Sequence, residues 1–269
     1  MEGLKSRAVP LIVCIALVLV GWFGGNALQN GDQKLITTQV TGLKANTAVM
    51  EIDGEEITAG EYLYWLATVC DSLYVDYGIQ DWSMMLGDVS INDYVKSEAE
   101  YYATRNVIVD KLAREQGITV NEEQQKLLDD MDSHWIAYYG GEDMYEYMLT
   151  CSGMTREMLI ENNTVPFLFS NLADSLLAEG GELEPNEERL QAFAERNQLD
   201  ISDEELLKLY VDPSYGAVNE YINNYVNQCE TVKKPAYDTI DVAVFYPALN
   251  AAREAVAIPE AEEQASNQG

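Results

Sequence analysis

One run in this sequence resembles a ligand set. Asp129–His134 (DDMDSH) places three carboxylates beside the chain's single histidine. Clustered oxygen donors suit a hard cation, but a calcium loop also needs a glycine at its sharp turn and a closing glutamate. Neither falls in place here, and on a helix residues two apart face away from one another. The run therefore reads as a solvated helix face. Glu55, Glu56 and Glu61 form the other acidic set, and paired carboxylates are the raw material of general acid–base catalysis. Glu61, however, stands three residues after Thr58 in capping-box spacing, which already gives it a task. A single histidine, His134, excludes multi-histidine metal sites and mechanisms that use two imidazoles. No GxSxG, HExxH, GxxxxGK or GxGxxG occurs, so no catalytic residue, metal or cofactor is assigned.

The aromatic and methionine content points elsewhere. The chain holds 17 Tyr, 4 Trp, 5 Phe and 9 Met. Most of these are core by spacing. Trp82, Met84 and Met85 in one loop, and Trp135, Tyr138 and Tyr139 in one helix, are dense enough that some must reach the surface. Adaptable thioethers and rings suit varied apolar partners, so these six are the candidate peptide-binding residues. The cysteines carry no chemistry by spacing. Cys14 lies in an apolar run, and Cys70, Cys151 and Cys229 form no CxxC or metal pattern. One disulfide and three free thiols both remain open.

The chain has 269 residues, enough for one sizeable core or two small ones. It is 47% hydrophobic, which rules out wholesale disorder. Its formal charge of −30 excludes nucleic acid as a partner, because a phosphate backbone would be repelled. Lys5 and Arg7 precede an uncharged run from Ala8 to Leu28, close to the roughly 20 residues a helix needs to cross a bilayer. Basic residues before the run place the N-terminus in the cytoplasm and the remainder outside the cell membrane. A single-pass signal anchor is the leading reading. Cleavage after the small-x-small triplet Gly25-Asn26-Ala27, giving a secreted product, is the alternative. A lipoprotein is excluded because Cys14 lies mid-run. Removing residues 1–28 takes away Glu2, Lys5 and Arg7 and leaves 14 basic and 45 acidic residues, a net of −31.

The elements beyond the run follow from punctuation and period. Gln29–Asn46 is polar, with Gly, Thr and Asn, and reads as a tether. Two β-prone runs flank Asp53-Gly54, a strong hairpin dipeptide. Thr58–Glu61 then caps a helix that carries Leu63, Leu66, Ala67, Cys70 and Leu73 on one face and stops at Gly78. A second long helix is predicted from Ile91 to Gln116. Thr119–Glu122 reads as another capping box, opening one helix that runs on to Tyr138. Shorter helices follow at about Asp143–Cys151 and from Thr155 to about Glu179, with a kink or break expected at Pro166. Three more are predicted at Asn186–Asn197, at Ser202–Tyr210 behind a third capping box, and at Val218–Cys229. Thr239–Tyr246 (TIDVAVFY) alternates and is β-branched and aromatic, so it reads as a strand.

Four pieces in order resemble the SurA/PrsA group of extracytoplasmic foldases. VMEIDGEEITAGEYLYWL is similar to that family's opening hairpin and first helix. REQGITVNEEQ and YYGGEDMYEYMLTCSGMTREMLIEN resemble its next two junctions, and ISDEELLKLY resembles the close of its helical region. The likeness covers about Thr47–Tyr210. It implies a mainly α fold, a multi-helix SurA N-terminal-type chaperone domain with a small antiparallel sheet, preceded by one transmembrane helix. It also implies that Thr239–Tyr246 returns to pair with Ala48–Ile52. The layout expected is a cytoplasmic tail (1–7), anchor (8–28), linker (29–46), peptide-binding domain (47–212), C-terminal helix and strand (213–258) and acidic tail (259–269). The implied function is a membrane-anchored holdase for unfolded or nascent exported proteins, needing no cofactor. The family's parvulin-type prolyl isomerase domain is expected to be missing, since only 58 residues follow Val211 and none is histidine. A degenerate isomerase, and a dedicated scaffold for one envelope complex, are the alternatives.

Overall fold

A computed structural model describes residues 35–256 together with Ile258. The apolar run Ala8–Leu28 and the acidic tail from Pro259 lie outside the described residues, so the predicted anchor and tail do too. Among the described residues no helix is long and apolar enough to cross a membrane. The fold is mainly helical with small antiparallel sheets, as the fold-class expectation had it.

The first element already departs from expectation. Inside the predicted tether, Ile36–Thr41 forms a helix, α1, with Ile36, Thr37 and Thr38 buried. Then come β1 (Ala48–Ile52) and β2 (Glu55–Thr58), antiparallel, with Ala48 opposite Thr58 and Ile52 opposite Glu55. Asp53 and Gly54 turn between them at φ +51° and +86°, the paired positive values that a two-residue hairpin requires. Thr58 caps α2 (Ala59–Tyr77) in both directions. Its hydroxyl accepts from the Glu61 N–H, and its own N–H donates to Glu61 Oε2 at 2.8 Å. Gly78, left-handed at φ +66°, stops the helix. The segment that follows contains a two-residue strand pair, β3 (Met85–Leu86) with β4 (Val89–Ser90). Helix α3 (Ile91–Glu115) ends at Gly117, one residue short of the predicted span.

Next, two overlapping cap patterns competed, Thr119-x-x-Glu122 and Asn121-x-x-Gln124, and the second is used. Asn121 Oδ1 accepts from the Gln124 N–H, and Gln124 Oε1 accepts from the Asn121 N–H, both at 2.9 Å. The single helix expected here divides at Asp130 into α4 (Glu122–Asp129) and α5 (Met131–Tyr139). Helix α6 (Glu142–Ser152) follows, and then α7 (Arg156–Leu177), which runs through Pro166 without a break. Proline removes one helical N–H, but Pro166 lies on an exposed side of the helix, where water can take the carbonyl left over. Helices α8 (Glu187–Asn197), α9 (Asp203–Tyr210) and α10 (Ala217–Gln228) match their predicted positions within a residue, α9 behind the Ser202–Glu205 capping box.

The third strand is β5 (Thr231–Lys233), which pairs antiparallel with β1 and gives the order β2-β1-β5. The strand expected at Thr239–Tyr246 does not form. Pro235–Asp238 is a helical turn, α11, and Val242–Glu254 is α12, capped by the Asp241 side chain on the Ala243 N–H. The run looked alternating because it is apolar all round. Its buried residues are Val242, Phe245, Tyr246 and Leu249, a helical spacing, while Val244 is exposed.

Two units divide the described chain, and α3 and α7 lend residues to both. The larger comprises 35–107, 120–166 and the segment from 229 on. Its core joins Val49, Met50 and Ile52 of β1, Leu63 and Leu66 of α2, Val95 and Ala99 of α3, and Phe245 and Leu249 of α12. A second cluster in the same unit gathers Tyr64, Tyr145, Leu149, Met154 and Leu159. The smaller unit, 108–119 and 167–228, packs Phe193 edge-on to Tyr210 at 5.3 Å, with Leu206 and Ala217.

Candidate functional site

The six candidate peptide-binding residues fall in the larger unit, where they have different fates. Trp82 is only 6% exposed, with its ring 4.5 Å from that of Tyr246, so it belongs to the core and is not open to a partner. Met84 is half-buried against the same core. Met85, on β3, is 55% exposed. The pattern of strand and turn separates them: Trp82 lies before the β3–β4 pair, and Met85 stands on it.

On α5 the structure brings the other three together. Trp135 stacks on Tyr139 with ring centroids 5.7 Å apart, and Tyr138 lies edge-on to both, at 5.5 and 5.0 Å. His134 adds an edge contact to Trp135 at 5.5 Å. No residue of α5 is buried. Trp135, Ile136 and Tyr139 are half-buried over the Tyr64–Tyr145 cluster, and Tyr138 is 69% exposed. The trio is therefore packed against the core through Trp135 and Tyr139 and open to solvent at Tyr138. Tyr74 and Tyr77 at the end of α2 add further exposed rings.

Of the acidic candidates, Glu61 caps α2 and Asp132 joins neighbouring helices. Asp132 accepts from the Tyr145 hydroxyl at 2.6 Å and pairs with Arg156 at 3.4 Å. Arg156 also pairs with Glu142 and Glu146 and lies 5.0 Å from the Tyr145 ring centroid, so one cation ties α5, α6 and α7 together. Asp129 accepts from the Gln125 side chain. Among the described residues no group of three or more His, Cys, Asp or Glu is placed to hold a metal. Cys70, Cys151 and Cys229 are free thiols, the first two buried.

Two long-range polar clusters, one buried and one half-buried, had no local signature in the sequence. Lys96 sends its amine to the Tyr237 and Ile240 carbonyls at 3.0 and 3.1 Å, with the Tyr237 ring centroid 4.1 Å away. Burial holds this amine below its ordinary pKa. It fastens α11 and the start of α12 to α3. The other cluster centres on Arg253. Its guanidinium forks onto Asp71 at 2.7 and 2.9 Å and reaches the Cys151 carbonyl at 2.8 Å, while the Tyr246 hydroxyl donates to Asp71 at 2.8 Å. Asp71 and Arg253 are 182 positions apart, so only the folded chain pairs them.

The tyrosines give a pH dependence with a definite sign. Burial pushes the phenols of Tyr102 and Tyr147 up to about 12. Burial first, and then the neighbouring Asp132 and Asp71, raise Tyr145 and Tyr246 still further. A phenol whose folded pKa exceeds its unfolded one contributes stability that is whole below pH 10 and is lost as pH rises through the folded value. Lys96 works in the opposite sense, and the phenols outnumber it. The chain is expected to keep its helical circular dichroism to about pH 10 and unfold between about 10 and 12. Tyrosine ionisation, followed by ultraviolet absorbance, should rise together with the loss of helix. Full ionisation of all the tyrosines ahead of unfolding would contradict their burial.

Comparison of the chain with protein-family models, with curated proteins and with solved structures found no match to any of them.

Proposed function

We propose that this protein is an extracytoplasmic holdase, tethered to the membrane through Ala8–Leu28, that binds apolar segments of unfolded or nascent exported chains without catalysis. The observation that carries this reading is the open aromatic surface of α5, where Trp135, Tyr138 and Tyr139 pack into one another on a helix with no buried residue. Met85 on β3 supplies an exposed thioether in the same unit. Aromatic rings and thioethers adapt to partners of varied shape, as a client-tolerant surface must. The strongly acidic remainder limits self-association and keeps the aromatic faces of different copies apart. The order of the four sequence pieces that resemble SurA and PrsA gives the same reading.

The test is light scattering of an aggregating, chemically unfolded client titrated with the full 269-residue chain. Suppression near equimolar ratios is expected, and the double variant Trp135→Ser/Tyr138→Ser should need several-fold more protein. Absence of suppression with several unrelated clients would rule out a general holdase.

A further inference from the structure

Within the larger unit, a tyrosine ring that lies beside carboxylates is met by one of the chain's own cations in two places. Arg156 lies 5.0 Å from the Tyr145 ring centroid and pairs with Asp132, Glu142 and Glu146. The Lys233 amine lies 4.6 Å from the Tyr237 ring centroid and 2.9 Å from Glu100. The cause is common to both. The face of a phenol ring carries partial negative charge, so ring and carboxylate attract the same cation.

Tyr138 repeats that combination in the open, without the cation. The turn at Asp130 keeps helical hydrogen bonding. Its N–H donates to the Lys126 carbonyl, and its carbonyl accepts from the His134 N–H, both at 2.9 Å. Asp130, His134 and Tyr138 therefore follow one another at four-residue intervals along one exposed face. Asp143, in the first turn of α6 just beyond Gly140-Gly141, is exposed as well. Among the described residues no lysine or arginine pairs with Asp130 or Asp143, and none lies over the Tyr138 ring. The supply of local cations is small. Residues 120–166 hold ten acids and only two bases, Lys126 and Arg156. Arg156 is already shared among three carboxylates, and Lys126 stands one turn from both Glu122 and Asp130.

We propose that the exposed face of α5 selects client segments in which Lys or Arg stands among apolar side chains. The client's cation lies on the Tyr138 ring, in the field of Asp130 and Asp143, and its apolar neighbours meet the half-buried rings of Trp135 and Tyr139. The inference rests on the holdase reading and narrows it to a class of client. Apolar content alone gives binding, and a basic residue within the apolar segment gives preference. A client segment carrying Asp or Glu at the same place is disfavoured, because it would set like charges side by side.

The test uses the full-length chain and three fluorescent peptides of one Leu- and Phe-containing sequence, which differ only in carrying two Lys, two Gln or two Glu. Binding is read by anisotropy. The Lys peptide should bind about fivefold more tightly than the Gln peptide, a gain of the size expected for a cation on an exposed ring with nearby carboxylates. The Glu peptide should bind most weakly. Raising the salt to about 0.5 M should narrow the spread, since exposed charges are then screened. Tyr138→Leu keeps an apolar side chain and removes the ring. Because Tyr138 is largely in solvent, the variant should retain the parent's helical circular dichroism while its Lys and Gln peptides converge in affinity. A preference for Lys that survives Tyr138→Leu undiminished would overturn the proposal, because the acidic surface as a whole would then be attracting the cation. Equal binding of all three peptides by the parent would sink this inference and leave the holdase reading standing. No binding of any peptide would sink both.

Discussion

Trp82→Ala is expected to lower the free energy of unfolding by about 3–5 kcal/mol, the range for truncating a large buried aromatic. The Trp82 ring is nearly covered and packs on Tyr246, which in turn packs on Tyr74 at 6.3 Å. Removing the indole opens a cavity beside the residue that also carries the hydrogen bond to Asp71. Met85→Ala, only three positions away, should stay within about 0.5 kcal/mol of the parent, because Met85 is largely in solvent. Urea unfolding followed by circular dichroism separates the two. The functional readout should run the other way. Met85→Ala leaves a stable protein with weakened client suppression, whereas the effect of Trp82→Ala should follow the fraction of protein folded. A Trp82→Ala protein of unchanged stability would mean that the loop does not close over Tyr246.

Arg253→Met should cost about 2–3 kcal/mol. Stripping one partner from a buried ion pair costs about 3–5 kcal/mol. Here Asp71 keeps 40% of its side-chain surface in water, which screens the charge left behind and reduces the loss. The loss also includes the bond to the Cys151 carbonyl, by which α12 holds α6. The Asp71→Asn/Arg253→Met pair checks the cause. If the penalty lies in an uncompensated carboxylate, the double variant should be more stable than Arg253→Met alone. Additive losses in the cycle would show that the packing of the arginine stem matters and its charge does not.

The parts of this fold that could be read directly are those whose causes lie within about four residues. Thr58 with Glu61 and Ser202 with Glu205 form their capping boxes because both partners of each bond lie on the same turn. Asp53-Gly54 turns and Gly78 stops α2 for equally local reasons, since each needs only a backbone conformation that its own residue tolerates. The open aromatic trio of α5 was visible too, because residues three and four apart meet on any helix. The box expected at Thr119–Glu122 did not form, because Asn121 and Gln124, at the same spacing two residues on, cap the helix instead.

Distance along the chain is what put the remainder out of reach. Whether TIDVAVFY became strand or helix depended on a core that already held β1, α2 and α3, and on β5 having taken the sheet edge beside β1. A polar stretch became α1 because a groove built from α2, α6 and α12 was there to bury Ile36. Trp82 and Met85 are alike in hydrophobic character, and a core that includes Tyr246, more than 150 positions later, covered the first and left the second exposed. The ion pair of Asp71 with Arg253 has the same origin. Capping, turning and helical period are properties of a short segment, whereas burial is a property of the surface that segment meets. For this chain the sequence by itself determined the capped helices between Thr58 and Gln228, most of their stops and an uncharged run long enough to span a membrane, and the tertiary structure decided α1, α12 and which of its many rings remain exposed.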